Sequence, residues 1–448
     1  MKTTFLLSAI LLCIVMFSYG QWDSTYLSQP RAQMGTVSLG SKAYFAGGYN
    51  NDGIIQTQVE IYDVKSHEWS YGDLSVARCF PACVASGSKV FFAGGSITMN
   101  PPFTFFSTVD IFDTLTQQWT VEQLSAARFD ISAVSKGTKV LFAGGVNVAL
   151  DKAYDVVDIY DTQTHEWTIN HLSVPRGSMG ASVVGDSAIF AGGSDIHSTS
   201  DQVDIYHFST GTWSTAKLSQ ARGFVSATTI GNKVLFAGGF TTGFISSSRV
   251  DIYDASTGVW SKHELSVARC SQKLAVTAGS KAFIVGGFDF DGMSPNNPTN
   301  IIDVYDSKTK NWTTINMAYK PVWHTAVAVE DYLLIAGGQV ELSGDWPTTA
   351  RLFIYNDLST GIIPFPGYDT SLKVFPNPAS NIITIEYQGT GKKTDGAVTI
   401  YGNVGQQVMY HQTNGLKSEI DISNLPFGIY FIKLIRNNKI TTGKFVKN

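Results

Sequence analysis

Seven times along the chain a short apolar run ends in a pair of glycines: YFAGG (44–48), FFAGG (91–95), LFAGG (141–145), IFAGG (189–193), LFAGG (235–239), FIVGG (283–287) and LIAGG (334–338). The period is close to fifty residues throughout. After each pair comes a loop of differing length, then a strand of alternating character: VEIYD (59–63), VDIFD (109–113), VDIYD (157–161), VDIYH (203–207), VDIYD (250–254), IDVYD (302–306) and, more loosely, LFIYN (352–356). Alternation at period two gives a strand two different faces. Six residues beyond the phrase stands a tryptophan, at Trp69, Trp119, Trp167, Trp213, Trp260 and Trp312. The intervening Asp, Ser, Thr and Gly can satisfy a tight turn locally. A unit of this length cannot bury its apolar face alone, so the pattern demands that neighbouring units stack.

A third phrase stands near the start and then after five of these tryptophans: LSQPR (27–31), LSVAR (74–78), LSAAR (124–128), LSVPR (172–176), LSQAR (218–222) and LSVAR (265–269). An apolar strand then leads to a turn at Gly40, Gly87, Gly137, Gly185, Gly231 or Gly279, before the next glycine pair.

A glycine pair followed at set spacing by a tyrosine and a tryptophan resembles the kelch repeat, here over roughly residues 21–365. The resemblance implies an all-β fold, a seven-bladed kelch-type β-propeller of four-stranded antiparallel blades around a central channel. Composition agrees, with 42 glycines, 12% aromatic and only 15% charged residues, which suits short strands and tight turns. In the last unit Ile362 stands where tryptophan stands elsewhere, while Trp22 opens QWDSTYLSQPR with no unit before it. The simpler reading is that the N-terminal strand completes the seventh blade and closes the ring without open sheet edges. The rival is that Ile362 completes its own blade and Trp22 lies outside.

The period stops near Pro366. Short alternating strands split by Gly, Asn and Pro follow to the end, the pattern of a small β-sandwich. The phrases VFPNPASN (374–381), ISNLPFGIYFIKL (422–434) and GKFVKN (443–448) resemble the C-terminal sorting domain of type IX secretion cargo. That resemblance implies a small Ig-like sandwich, engagement of the type IX machinery, and secretion or cell-surface display by way of the periplasm and outer membrane. Residues 1–20 carry Lys2, an apolar run from Phe5 to Phe17 and a close in Gly20, the pattern of a secretory signal peptide. The expected division is therefore 1–20 signal, 21–365 propeller and 366–448 sorting domain. No later segment is apolar enough to span a membrane as a helix. Beyond the signal stand Cys79, Cys83 and Cys270, an odd set without metal spacing, read as small buried hydrophobes.

Residues 21–365 hold 22 basic and 31 acidic side chains, net −9, and residues 366–448 hold 9 and 5, net +4. Such a propeller has no bulk field for a polyanion, so nucleic acid is excluded as a partner. A monomer is expected.

Strand direction alternates within a blade, so the LSxxR connection and the loop after each glycine pair open on the same face. This places Arg31, Arg78, Arg128, Arg176, Arg222 and Arg269 around one channel mouth, with Lys320 as a degraded seventh. Guanidinium forks suit carboxylate, sulfate or phosphate groups. The competing reading is structural, each arginine bonding neighbouring carbonyls or an acid such as Asp110 or Asp158. On the same face the loops vary, and Phe103, Phe105, Trp323, His324 and Trp346 could stack on a sugar or anchor a protein. Asp289 and Asp291 give only a fragment of a calcium loop. His165 and His171 flank Trp167 without metal spacing. No catalytic residue, metal or cofactor is indicated. The function read from this is an exported binding module for a protein or glycan ligand. Its alternative is an exported carbohydrate-active enzyme, a sugar epimerase, mutarotase or glycosidase, at the same mouth; a third reading is a surface protein without a small ligand.

Overall fold

The computed structural model describes residues 21–97, 103–270, 274–291, 294–340, 346–356, 372–387, 396–402, 407–413, 415–436 and 439–448. The chain divides into two compact units, residues 1–360 and 361–448.

Among the described residues of the first unit, seven sheets have four antiparallel strands each. Blade one runs Gly35–Leu39, Lys42–Ala46, Gln58–Asp63 and Trp69–Asp73, from inner to outer strand. Burial reads out radial position. Second strands such as Lys89–Ala93 bury four successive residues, and third strands such as Thr108–Asp113 bury both faces. Outer strands such as Gln118–Gln123 turn little more than the tryptophan inward. Each inner strand packs against the next around a ring, and Thr325–Val329 of the last sheet packs on Gly35–Leu39 of the first. Hydroxyls stitch neighbouring inner strands together: Ser132 Oγ donates to the Met179 carbonyl at 2.9 Å, and the Ser182 and Thr229 hydroxyls meet at 2.7 Å.

The ring closes through the N-terminal strand. Gln21–Tyr26 pairs antiparallel with Arg351–Asn356 along its whole length, with Trp22 opposite Tyr355. Their rings lie 5.0 Å apart, and the corresponding pairs in the other six blades, Tyr62–Trp69 through Tyr305–Trp312, lie at 4.9 to 5.2 Å. Trp22 thus takes the seventh tryptophan place; Ile362 lies outside the described residues.

The glycine pairs dock one blade on the next. At Gly47, with φ +65°, a Cβ would stand 2.2 Å from the Arg78 carbonyl, and the Gly48 N–H donates to that carbonyl at 3.0 Å. Only glycine accepts both the positive φ and the close approach.

The second unit has a three-stranded sheet (Leu372–Phe375, Ile382–Tyr387, Lys417–Asp421) and a four-stranded sheet (Gln407–Thr413, Gly396–Tyr401, Gly428–Arg436, Lys439–Lys447). Ile383, Ile385, Ile400, Ile420, Ile432 and Phe445 are at the centre of its core. Cys79 and Cys270 are buried, Cys83 half-buried, and all three are free thiols. Among the described residues no helix is long and apolar enough to cross a membrane.

Candidate functional site

The repeated arginines do not face the channel mouth. All six are at most 1% exposed. Each guanidinium Nη2 donates to an acid on the third strand of its own blade: Arg31 to Glu60, Arg78 to Asp110, Arg128 to Asp158, Arg176 to Asp204, Arg222 to Asp251 and Arg269 to Asp303, at 2.5 to 2.7 Å. The acid's other oxygen accepts the backbone N–H of the serine in the same LSxxR phrase, from Ser28 to Ser266, at 2.7 to 3.1 Å. Other guanidinium protons go to carbonyls, as when Arg176 Nε reaches Gly192 at 2.8 Å and Arg176 Nη1 reaches Val174 at 3.0 Å, while the Nε of Arg31, Arg78, Arg222 and Arg269 is buried without a partner. Burial lowers each guanidinium pKa and the carboxylate opposes it. The expected ring of ligand-binding charges is therefore corrected to a ring of internal ion pairs. A buried charge is tolerable only when paired and hydrogen-bonded, and these are both.

Lys320 is corrected as well. The residue after each arginine bridges to the residue after the glycine pair, as Gly223 does to Phe240, and in blade seven that bridge is Val322 to Gln339. The arginine place is therefore held by Pro321, and exposed Lys320 precedes it. The acid's place on the third strand is held by Phe353, since Arg351–Asn356 stands in register with Arg249–Asp254. Both halves of the ion pair are absent together.

What opens on the channel is the second residue after each arginine place. Among the described residues these are Gln33, Phe80, Asp130, Ser178, Phe224 and Trp323, all at φ between +52° and +57°. Such a conformation is unusual for large side chains and turns the connection sharply into the inner strand. Backbone bonds run from one to another around the mouth: Gln33 N–H to the Trp323 carbonyl, Phe80 N–H to Gln33, and Ser178 N–H to Asp130, each at 3.0 Å. All but Ser178 line a channel cavity of about 630 Å³, and the Ser178 hydroxyl donates to Asp130 Oδ2 at 2.7 Å. Gln33, Asp130 and Ser178 are buried, whereas the aromatic rings at Phe80, Phe224 and Trp323 remain half-exposed. Trp323 packs on Phe288 at 4.9 Å and meets Phe80 edge-on at 5.9 Å, while Phe224 packs on Phe240 at 5.3 Å. Around the mouth, aromatic Trp323 and Phe80 flank polar Gln33, and polar Asp130 and Ser178 stand between Phe80 and Phe224.

Of the other expected site residues, Trp323 and His324 are in the channel wall. His324 is 6% exposed, and neither ring nitrogen makes a hydrogen bond of good geometry. Burial pushes its pKa down to about 4, against the opposing pull of the Val285 and Pro321 backbone. It is a neutral imidazole packed on Gly286 and Met317, in the place where Met179 packs on Gly144. Phe103 and Phe105 do not project freely: they stack on each other at 6.1 Å, and Phe105 stacks on Phe129 at 5.1 Å. Trp346 is 36% exposed. The mouth residues Gln33, Phe80, Asp130, Ser178 and Phe224 were not singled out by motif; their signal was non-repetition at a fixed offset from a repeated arginine.

A family profile described as the KLHDC2/KLHL20/DRC7 Kelch-repeats domain matches residues 130–338, and one described as the Kelch motif matches residues 30–72. A third, the secretion system C-terminal sorting domain, matches residues 373–448. No curated protein matches the chain. Among solved structures, one titled "Structure of YjhT" is similar over 65% of this chain and 99% of its own, at 16% identity and a TM-score of 0.52, a likeness of fold. With the ring of four-stranded sheets, these matches make the chain a kelch-repeat β-propeller protein. More particularly, it is a kelch propeller with a type IX sorting domain, exported to the cell surface or the extracellular space.

Proposed function

We propose that the propeller is a binding module whose protein or glycan ligand seats on the channel mouth. One observation carries this reading: on a scaffold where Leu, Ser, Arg and acid recur, the place at the channel mouth is held in turn by Gln33, Phe80, Asp130, Ser178, Phe224 and Trp323. Variation on a fixed frame is where repeat proteins place recognition. Half-exposed Trp323, Phe80 and Phe224 offer flat apolar surface suited to a sugar face or a peptide side chain. The enzyme reading is less well supported, because among the described cavity-lining residues Asp130 is the one carboxylate and His324 is held neutral. We also propose that residues 1–20 are removed as a signal and that residues 21–365 form the exported working part.

Glycan arrays and peptide display on the full chain test the site. Trp323→Asn and Phe224→Asn keep a residue that tolerates positive φ while removing the ring. A ligand that uses the mouth loses about tenfold or more in affinity with either change, equivalent to ~1.4 kcal/mol. A ligand indifferent to both would place recognition elsewhere. Intact mass of the exported protein reads the signal: a chain beginning before Gln21 contradicts it.

A further inference from the structure

The two faces of the propeller differ in charge and in exposed apolar surface. On the face away from the mouth, the strand-to-strand turns hold nine lysines against ten acids. Many are paired locally, as Lys89 with Asp113 at 2.8 Å and Lys139 with Asp161 at 2.9 Å. Among the described residues of those turns, Leu115 and Val259 are the large apolar side chains in the open. On the mouth face, the described residues of the loops after the glycine pairs hold seven acids against two bases, a net of −5. Lys320 on a connection leaves −4. The six arginines add nothing, because each is buried against its own acid. The mouth face thus carries a net of −4 where the turns of the opposite face carry −1.

The same loops raise apolar side chains into solvent. Ile54, Ile97, Leu150, Phe244, Ile245 and Trp346 are 36% to 66% exposed. Neighbouring loops are tied to each other: Thr348 Oγ1 donates to Asn51 Oδ1 at 2.7 Å, the Thr199 and Thr242 hydroxyls meet at 3.1 Å, and His197 lies 3.5 Å from Asp151. A rim fixed in this way loses little further freedom on binding. At the mouth itself the Gln33 Oε1 is buried without a partner, an acceptor that lacks a donor.

We infer that the mouth face docks a basic polypeptide segment carrying lysine or arginine beside apolar residues. The inference rests on the binding-module reading and gives its partner a chemistry. Asp52, Asp151 and Asp195 favour a cation and repel nucleic acid, acidic glycans and anionic lipid surfaces. The apolar tips accept the partner's aliphatic and aromatic side chains and the long stems of its basic residues. The Trp323 and Phe80 rings offer π-faces to a cationic head at the channel mouth.

Peptide display on the full exported chain supplies the probe, and the tightest selected peptide is then measured against variants. Selected peptides should be enriched in Lys or Arg together with apolar residues, and their affinity should fall with salt. Asp52→Asn/Asp151→Asn/Asp195→Asn should weaken binding at least tenfold, and Ile54→Ser/Leu150→Ser should weaken it independently of salt. All of these positions are on surface loops, and circular dichroism confirms that the variants fold. Neutral or acidic selected peptides that still lose affinity with Trp323→Asn would overturn this inference and leave the mouth reading standing, as would binding of glycans alone. Basic peptides indifferent to the loop changes and to Trp323→Asn would overturn both.

Discussion

Six blades and the seventh solve one packing problem with opposite chemistry. In the six, the connection entering a blade is anchored by a buried arginine that grips an acid on the third strand, and the acid also holds a serine N–H. In the seventh, Pro321 and Phe353 fill those two places. Tyr319 packs on Phe353 with ring centres 4.9 Å apart, and Trp22 of the closing strand meets Phe353 edge-on at 5.9 Å. Burial pushes the Tyr319 hydroxyl up to about 12, although a bond to Thr349 opposes the rise. The blade that joins the two ends of the propeller therefore relies on an aromatic cluster where the others rely on charge. The comparison teaches that the ion pair is one of two adequate fillings of the site. Replacing both members of a buried pair by well-packed apolar groups can be close to neutral, while removing one strands the other.

The sharpest way to break this comparison is a cycle in blade three. Arg128→Met leaves Asp158 charged, about 4% exposed and without its guanidinium, and should lower stability by about 3 to 5 kcal/mol. Arg128→Met/Asp158→Leu imitates blade seven and should recover most of that loss. All nine tryptophans are in residues 22–346, so their fluorescence in a denaturant titration of the full chain follows the propeller alone. A double variant as weak as the single one would show that the pair is not exchangeable for apolar packing.

The seventh blade differs again at His324, which stands where blade four has Met179. Its folded pKa is lowered to about 4 from an ordinary 6.5, chiefly by burial. Between these values the unfolded chain binds a proton that the folded chain refuses. Stability from this group is therefore complete above pH 6.5 and declines as pH falls toward 4, by up to about 1.4 kcal/mol per pH unit and ~3 kcal/mol in all. Carboxylates elsewhere add their own acid dependence, so the measurement is the difference between wild type and His324→Met across that window. The variant should lose less stability on acidification; parallel curves would refute the assignment.

Much of this fold was legible because the repeat states it seven times, and Trp22 announced the closing strand as a tryptophan phrase without a blade. The buried role of the arginines was half legible. The acid in VDIYD recurs as often as the arginine, and both are missing from the last unit, at Pro321 and Phe353. That joint absence marks a pair, but Lys320, one residue too early, hid it. The mouth was least legible. Left-handed backbone is signalled by Gly or Asn, and here the turn is taken by Gln33, Phe80, Asp130, Ser178, Phe224 and Trp323 under the constraint of the ring. Phe103 and Phe105 were legible as aromatics in a loop, whereas the stacking of Phe105 onto Phe129 depends on contact with the next blade.

The smallest effect is expected at the seam where blade seven meets blade one. Lys65 and Glu330 form an ion pair at 2.6 Å across it, and their side chains are 66% and 40% exposed. The Glu330 carboxylate raises the Lys65 pKa, but water and salt screen a pair this open, and holding two long side chains together costs entropy. The seam is held instead by packing of Thr325–Val329 on Gly35–Leu39, and the seventh blade by the six-residue ladder of Gln21–Tyr26 on Arg351–Asn356. Glu330→Gln should therefore leave the unfolding midpoint unmoved at both low and high salt. A clear loss would mean that closure at this seam leans on surface charge, and that blade seven is weaker than its aromatic core implies.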